Sequence, residues 1–439
     1  MSKEVRLFRG IGAADARGEV ASPGAVLVSV DPRADWPELI ASGPAEAVSR
    51  HEAAADARVV NLDGAVLLPG LVNAHTHLDL THIGPRPFDP SAGFGGWARM
   101  IVNQRLRDSE ALRESVRSGI NLSIAGGVVA VGDISGVMQL EPIRTLQDSG
   151  MAGVSFVEYF GVGARQEEIA NRVATFIDRL GPPRGRIRVG LQPHAPYTAG
   201  LRLYDWTARQ HLARHLPVCT HLAETASERE FVARGTGPFR AFLESMGFWD
   251  DSVLSEVGRD RTPLEHLGPI LRAAPWLVAH VNDCDDAGMR VLAESGTSVA
   301  YCPRSSWYFR NHEAFGPHRY RDMLRSGINV CLGTDSIVNL PPSESATLST
   351  LDEMRYLFRR DGTDASLLMA MATTNGARAL GLDPALFSLR AQGGPHARPL
   401  AGLIAVNVTR GGHDGTLLDR VMRSSGPPRV LLTPRGWEE

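Results

Sequence analysis

The sequence predicts an α/β protein, a (β/α)8 TIM barrel with a small β-sandwich-like domain formed by both termini. Three observations predict it: eight short apolar runs that each end in polar residues, amphipathic segments between them, and a different, Gly- and Pro-punctuated pattern at the two ends. The runs are Ala65–His77, Val128–Ser135, Gly153–Glu158, Ile187–His194, Leu216–His221, Trp276–Val281, Thr297–Cys302 and Ile328–Asp335. They are mostly apolar rather than alternating, as strands covered by helices on the outside and packed inside should be. Segments such as Glu167–Leu180 and Ser227–Leu243 read as the covering helices. Such barrels need about 250 residues, so the loops here carry insertions, the longest between His221 and Trp276.

The ends carry Ala25–Val30, Val59–Leu62, Leu403–Val408 and Val430–Leu432, short runs that read as strands. The expected division is residues 1–68 plus 388–439 for the small β-domain and 69–387 for the barrel. Ala34–Ala57 shows no clear pattern.

Composition narrows the function. The chain has 439 residues, 43% hydrophobic and 22% charged, enough to bury a large core. A formal charge of −3 offers no basic field for nucleic acid or acidic lipid. No run approaches a membrane span, and Met1–Gly10 does not resemble a signal peptide. The expected partner is a small-molecule substrate, with no nucleic acid and no membrane; a homodimer stays open. Cys219, Cys284, Cys302 and Cys331 lack metal-ligand spacing and read as free thiols of a cytoplasmic protein. Lys3 is the only lysine, which excludes a phosphate-binding Gly-Lys-Ser/Thr loop, a Schiff-base lysine and a lysine base.

Polar residues gather where the runs stop, which in a barrel of this kind is where the site lies. His75 and His77 stand two residues apart and project from one face of an extended chain, so they can share a metal ion. His221 ends the fifth run and Asp335 the eighth. Three imidazoles and a carboxylate suit one divalent metal, Zn2+ or Fe2+, with a position left for water. Asp335 could instead cap the next helix. Glu224, three residues after His221, can reach over such a site and move a proton; the alternative is that it opens a helix with Glu228 and Glu230. His280, at the end of the sixth run, suits orienting the attacking water or polarising a leaving group. His194 ends the fourth and suits contact with substrate. The remaining nine histidines, His82 among them, read as structural.

Pro69 to His77, His221 with Glu224, His280 and Leu332-Gly333-Thr334-Asp335 resemble the amidohydrolase superfamily, in particular the branch of cytosine, guanine and adenosylhomocysteine/methylthioadenosine deaminases and triazine hydrolases. The resemblance covers nearly the whole chain, Thr373-Thr374-Asn375-Gly376-Ala377 included. It implies that His75, His77, His221 and Asp335 hold one divalent metal, that Glu224 shuttles protons and that His280 sits beside the nucleophilic water. A carboxylated lysine bridging two metals is excluded by the single lysine; Glu158 is the residue to suspect as a bridge if two metals are present. Tyr301 to Phe309 and Gly235 to Phe239 are similar to segments of aminodeoxyfutalosine deaminases. Arg304 would suit a substrate carboxylate, or a salt bridge to an acidic loop. Trp97 and Tyr197, with Phe94, would stack on a ring or pack a lid.

The expected activity is metal-dependent hydrolytic deamination of an aminated N-heterocycle, purine- or adenine-nucleoside-like, with release of ammonia. The alternatives are the same site cleaving another C–N or a C–Cl bond, as triazine hydrolases or cyclic amidases do, and a non-catalytic barrel that only binds.

Overall fold

The computed structural model describes residues 3–344, 346–390, 397–408 and 415–438. Its centre is two four-stranded parallel sheets. The first holds Leu71–Thr76, Val128–Val137, Ala152–Tyr159 and Arg186–Pro193 in that order; the second holds Cys219–Leu222, Leu277–His280, Ser298–Tyr301 and Val330–Leu332. Each strand matches one of the eight apolar runs. Ala152–Tyr159 is buried at every residue, which is why no polar alternation marks it. Between strands, helices lay one apolar stripe inward: Ser109–Ala125, capped by the Asp108 carboxylate on the Ala111 amide, buries Leu112, Val116 and Ile120 at intervals of four.

Parallel bridges join the two sheets at both seams, Leu191 to Val218 and Thr76 to Asp335. The second seam is the better furnished. The Asn73 side-chain amide donates to Thr334 Oγ1 (2.7 Å) while its carbonyl accepts from the Thr334 amide (3.0 Å). The Thr334 and Asp335 amides both donate to the His75 carbonyl, at 3.1 and 3.0 Å. This approach needs a glycine at 333, where a Cβ would come within 2.8 Å of the His75 Cβ and 2.9 Å of Cys302 Sγ.

Strands from both termini form one nine-stranded sheet, in the order Arg398–Pro399, Glu38–Pro44, Gly24–Val30, Glu4–Asp15, Arg58–Pro69, Leu403–Asn407, Arg429–Thr433 and Gly436–Trp437, with Gly18–Ala21 paired to Glu4–Asp15. It has its own apolar cluster, including Phe8, Val26, Leu67, Leu403 and Leu432. Among the described residues these strands make a single sheet, where a sandwich-like arrangement was expected.

Three local expectations change. The first run, Ala65–His77, is two strands: Arg58–Pro69 belongs to the terminal sheet and Leu71–Thr76 to the centre. They meet at Gly70, where a Cβ would lie 2.5 Å from the Val129 side chain. The helix expected over Ser227–Leu243 is two, Ala226–Arg234 and Pro238–Ser245, parted by Gly235 and Gly237, whose φ values of 68° and 85° end one helix and begin the next. The unread stretch at 34–57 holds the strand Glu38–Pro44 and the short helix Ala45–Ser49. No helix of the described residues is long and apolar enough to cross a membrane.

Gly333→Ala should lower stability by about 1–3 kcal/mol, since the added methyl has no room beside His75; a urea unfolding curve with an unchanged midpoint would contradict this packing.

Candidate metal centre and active site

The chemistry-bearing residues meet at the C-terminal ends of the central strands. Nε2 of His77 lies 3.3 Å from Nε2 of His221 and 3.4 Å from Oδ1 of Asp335. Nε2 of His75 is 3.8 Å from the same Asp335 oxygen. Ligand atoms of His75, His77 and His221 all lie within 4.8 Å of one another, as do those of His75, His280 and Asp335. Side chains separated by up to 260 residues of chain are brought together because first and eighth strands pair.

Burial sets the protonation state of this cluster. Removal from water, reinforced by the neighbouring imidazoles, holds His75 and His77 well below the usual histidine range and His221 at about 3. Neutral rings keep a lone pair for a metal. His75 is fully buried, yet neither of its ring nitrogens has a hydrogen-bond partner among the described residues, and Nδ1 of His77 has none. An unsatisfied buried polar atom costs about 1–3 kcal/mol, a cost that a cation accepting the lone pair removes. The donor set therefore fits a divalent metal.

Surrounding groups aim the ligands. Nδ1 of His221 is held between the His194 carbonyl (3.0 Å) and the Gln192 side-chain amide (3.2 Å), which leaves Nε2 turned toward His77 and the cluster. Oδ2 of Asp335 accepts from Ser305 Oγ (2.7 Å) and Asn339 Nδ2 (2.8 Å), leaving Oδ1 for the imidazoles. Asp335 does not cap a helix; the following short turn is capped by Ser336. Non-glycine residues here adopt left-handed backbone: Ala223 at φ 54°, His280 at 75°, Val281 at 54° and Asp335 at 57°. Such conformations cost about 1–3 kcal/mol each and persist only where neighbours enforce them. The neighbours are present, since the His280 carbonyl accepts from Nε2 of His318 (2.8 Å).

Glu224 is buried, with Oε1 3.7 Å from Nε2 of His280. Burial, then the charges of Asp335 and Glu228, push its carboxyl well above the usual range. It does not open the next helix, which Thr225 caps. Its own peptide is gripped from both sides: Glu228 accepts from the Ala223 and Glu224 amides, each at 2.8 Å, and Asn282 Nδ2 donates to the Glu224 carbonyl at 3.0 Å.

A cavity of about 430 Å³ opens over the cluster. His77, His194, His221, Glu224, His280 and Asp335 line its polar end, and Phe94, Trp97, Phe160, Tyr197 and Phe239 much of the rest. Trp97 and Tyr197 thus stand at the cavity, and Tyr197 stacks on Phe239 with ring centres 3.6 Å apart. Arg304 does not line it. Its Nε donates to Glu353 at 2.6 Å, and both side chains are buried, so the ion-pair alternative holds and the substrate-carboxylate expectation is corrected. Spacing along the chain could not reveal Glu353, which arrives from a helix nearly 50 residues later. Three arginines do line the cavity, Arg105, Arg165 and Arg172, and of these Arg105 is bonded to Glu158 (3.0 Å) and lies 3.4 Å from Asp79. No sequence signal marked it, because it follows a helix, Gly93–Gln104, rather than a strand. The ring nitrogens of His82 lie 3.1 Å from the Asp79 carbonyl and 2.8 Å from the Gln104 carbonyl, in keeping with its structural reading; His396 and His413 lie outside the described residues.

The profile of the Amidohydrolase family matches residues 66–390, three quarters of the chain and all eight central strands. The chain belongs to the amidohydrolase family. This amidohydrolase is 28% identical over 392 residues to the aminodeoxyfutalosine deaminase of Deinococcus radiodurans, covering 85% of this chain and 84% of that one. It is 28% identical over 339 residues to the 5-methylthioadenosine/S-adenosylhomocysteine deaminase of Dictyoglomus thermophilum, covering 74% and 71%. Among solved structures, Helicobacter pylori aminofutalosine deaminase in complex with methylthio-coformycin superposes with a TM-score of 0.77 at 18% identity, over 99% of this chain and 100% of that one. The centre of the amidohydrolase is accordingly a TIM-barrel-like α/β domain.

Two outcomes are expected. Arg304→Met should destabilise the amidohydrolase by about 3 kcal/mol or more by stranding the Glu353 carboxylate, seen as a lower thermal midpoint. His221→Ala or Asp335→Ala should purify nearly free of metal by elemental analysis, whereas Cys284→Ser should keep it; full metal content in either ligand variant would remove this cluster as the binding site.

Proposed function

We propose that the chain is a metal-dependent hydrolytic deaminase of adenosine-like substrates, replacing the exocyclic amine of the ring by oxygen and releasing ammonia. The observation that carries this is the convergence of His75, His77, His221 and Asp335 with Glu224 and His280 at the polar end of an otherwise apolar cavity. Family membership makes the protein a hydrolase acting on C–N bonds, and the names of its relatives point to adenine nucleosides. One metal ion is expected, zinc or ferrous iron, because the ligand set is rich in nitrogen.

When bound, the metal supplies Lewis acidity that eases ionisation of water. The remaining work falls to the chain. Glu224 takes a proton from the attacking water and passes it to the ring nitrogen beside the attacked carbon. His280 and Asp335 orient the water toward that carbon. Glu224, now free again, takes the second proton from the hydroxyl on the attacked carbon and delivers it to the departing amine; the C–N bond breaks as the carbonyl forms, and the product is an oxo-heterocycle and ammonia. A buried carboxyl whose affinity for protons is raised suits this return step. His194, Trp97 and Tyr197 contact the substrate from the cavity wall.

For the architecture we infer that the two central sheets close into one (β/α)8 barrel, residues 69–387, and that residues 1–68 with 388–439 form the small β-domain. Support comes from the bridges at both seams and from the separate apolar cluster of the terminal sheet.

Purified, metal-loaded protein should release ammonia from adenine nucleosides without opening the ring; ring opening or halide release from other heterocycles, with no ammonia from nucleosides, overturns the assignment. Glu224→Gln should lose at least about a hundredfold in kcat while retaining its metal, and near-normal turnover would dismiss Glu224 as the proton carrier.

A further inference from the structure

A second cavity, of about 330 Å³, shares no lining residue with the first. Its size falls within the range of small-molecule sites, about 300–1,000 Å³. Two of its lining side chains support the active centre. His318 donates from Nε2 to the His280 carbonyl (2.8 Å), and Asn282 donates from Nδ2 to the Glu224 carbonyl (3.0 Å) while accepting from Ser306 Oγ (2.8 Å).

Two lining side chains carry buried polar atoms with no partner among the described residues. His318 is the first. A carbonyl can only accept, so the Nε2 contact fixes a proton there, and burial holds the ring at about 4, which keeps it neutral. Nδ1 therefore carries a lone pair, and nothing bonds to it. Asn311, 5% exposed, is the second, and its Nδ2 has no partner. An unpartnered amide can turn either end toward a ligand, so Asn311 sets no polarity. His318 does, and it calls for a donor.

The remaining wall narrows the class of donor. Arg360 and Asp361 satisfy each other through two bonds of 2.7 Å, so neither offers an uncompensated charge. Flat rings flank the space: Tyr301 stacks on His318 with centres 3.7 Å apart, and Trp307 on His312 at 4.0 Å. Trp307 keeps 53% of its surface exposed, an apolar face for a ligand to cover. A sugar or an aliphatic alcohol would donate to His318 but leave those rings without a flat partner.

We propose that this second cavity binds a neutral, flat nitrogen heterocycle of the nucleobase kind, which donates an N–H to His318 and exchanges a second hydrogen bond with Asn311. The occupant touches the supports of His280 and Glu224 without entering the catalytic cavity. The site stands on its own residues and does not depend on the deaminase reading above.

Equilibrium dialysis of the full, metal-loaded chain against hypoxanthine, adenine and ribose is the test. Wild-type protein should bind one or both bases with a Kd below about 1 mM, in an equivalent that Asn311→Leu weakens by about tenfold or more. His318→Phe, which keeps a ring to stack on Tyr301 but has no ring nitrogen, should weaken the same equivalent. Asn311→Leu deletes an amide nitrogen that has no partner, so its thermal midpoint should not fall below that of wild type. Binding of neither base, ribose bound in their place, or an equivalent undiminished in Asn311→Leu overturns the site. Lost binding accompanied by a lower thermal midpoint in both variants also overturns it, by giving the two side chains a purely structural role.

Discussion

The pairing of the first central strand with the eighth is the constraint on which the site depends. Asn73 and Thr334 exchange two hydrogen bonds, and the His75 carbonyl receives the amides of Thr334 and Asp335. These contacts lock the two strand ends in one register. A slip of one residue would turn His75 and His77, or Asp335, away from the common centre, since alternate residues of a strand point to opposite faces. Gly333 permits the close approach, and Asp335 accepts a left-handed backbone to turn its carboxylate inward. Local conformational cost at this seam is thus linked to the geometry of the ligand set.

Burial then gives each group a distinct character. The imidazoles are held neutral and the Glu224 carboxyl is held proton-avid by the same loss of solvent, which disfavours charge of either sign. Hydrogen bonds divide the work of each group: Oδ2 of Asp335 is spent on Ser305 and Asn339, Nδ1 of His221 on the His194 carbonyl and the Gln192 amide, and the other atom of each is left facing inward. Glu228 and Asn282 clasp the peptide that carries Glu224, so the proposed proton carrier sits on a rigid turn rather than a mobile loop.

Two arginines show where sequence reasoning succeeds and fails. Arg304 follows a strand end, the position that usually marks a site residue, yet it turns into the protein to meet Glu353. Arg105 follows a helix and carries no such mark, yet reaches the cavity and holds Glu158. Partner choice among buried charges depends on which elements pack together, and helices that cover a barrel bring residues from far along the chain. Terminal strands posed a similar problem. Their runs were recognisable, but a continuous apolar stretch concealed the change from Arg58–Pro69 to Leu71–Thr76, because both strands are buried on either side of Gly70.

By itself the sequence determined the order and number of central strands and the positions of His75, His77, His221, Glu224, His280 and Asp335 at their ends. It could do so because buried parallel strands must be apolar, and any polar residue at their ends stands out against that background. It also excluded a lysine-bridged metal pair through Lys3 alone. Only the tertiary structure decided which oxygen and which ring nitrogen each group turns inward, that Glu228 and not Glu224 serves the adjoining turn, and that Arg105 and not Arg304 faces the cavity. Those choices are made by hydrogen bonds and packing between elements distant in the chain, and no local pattern of residues records them.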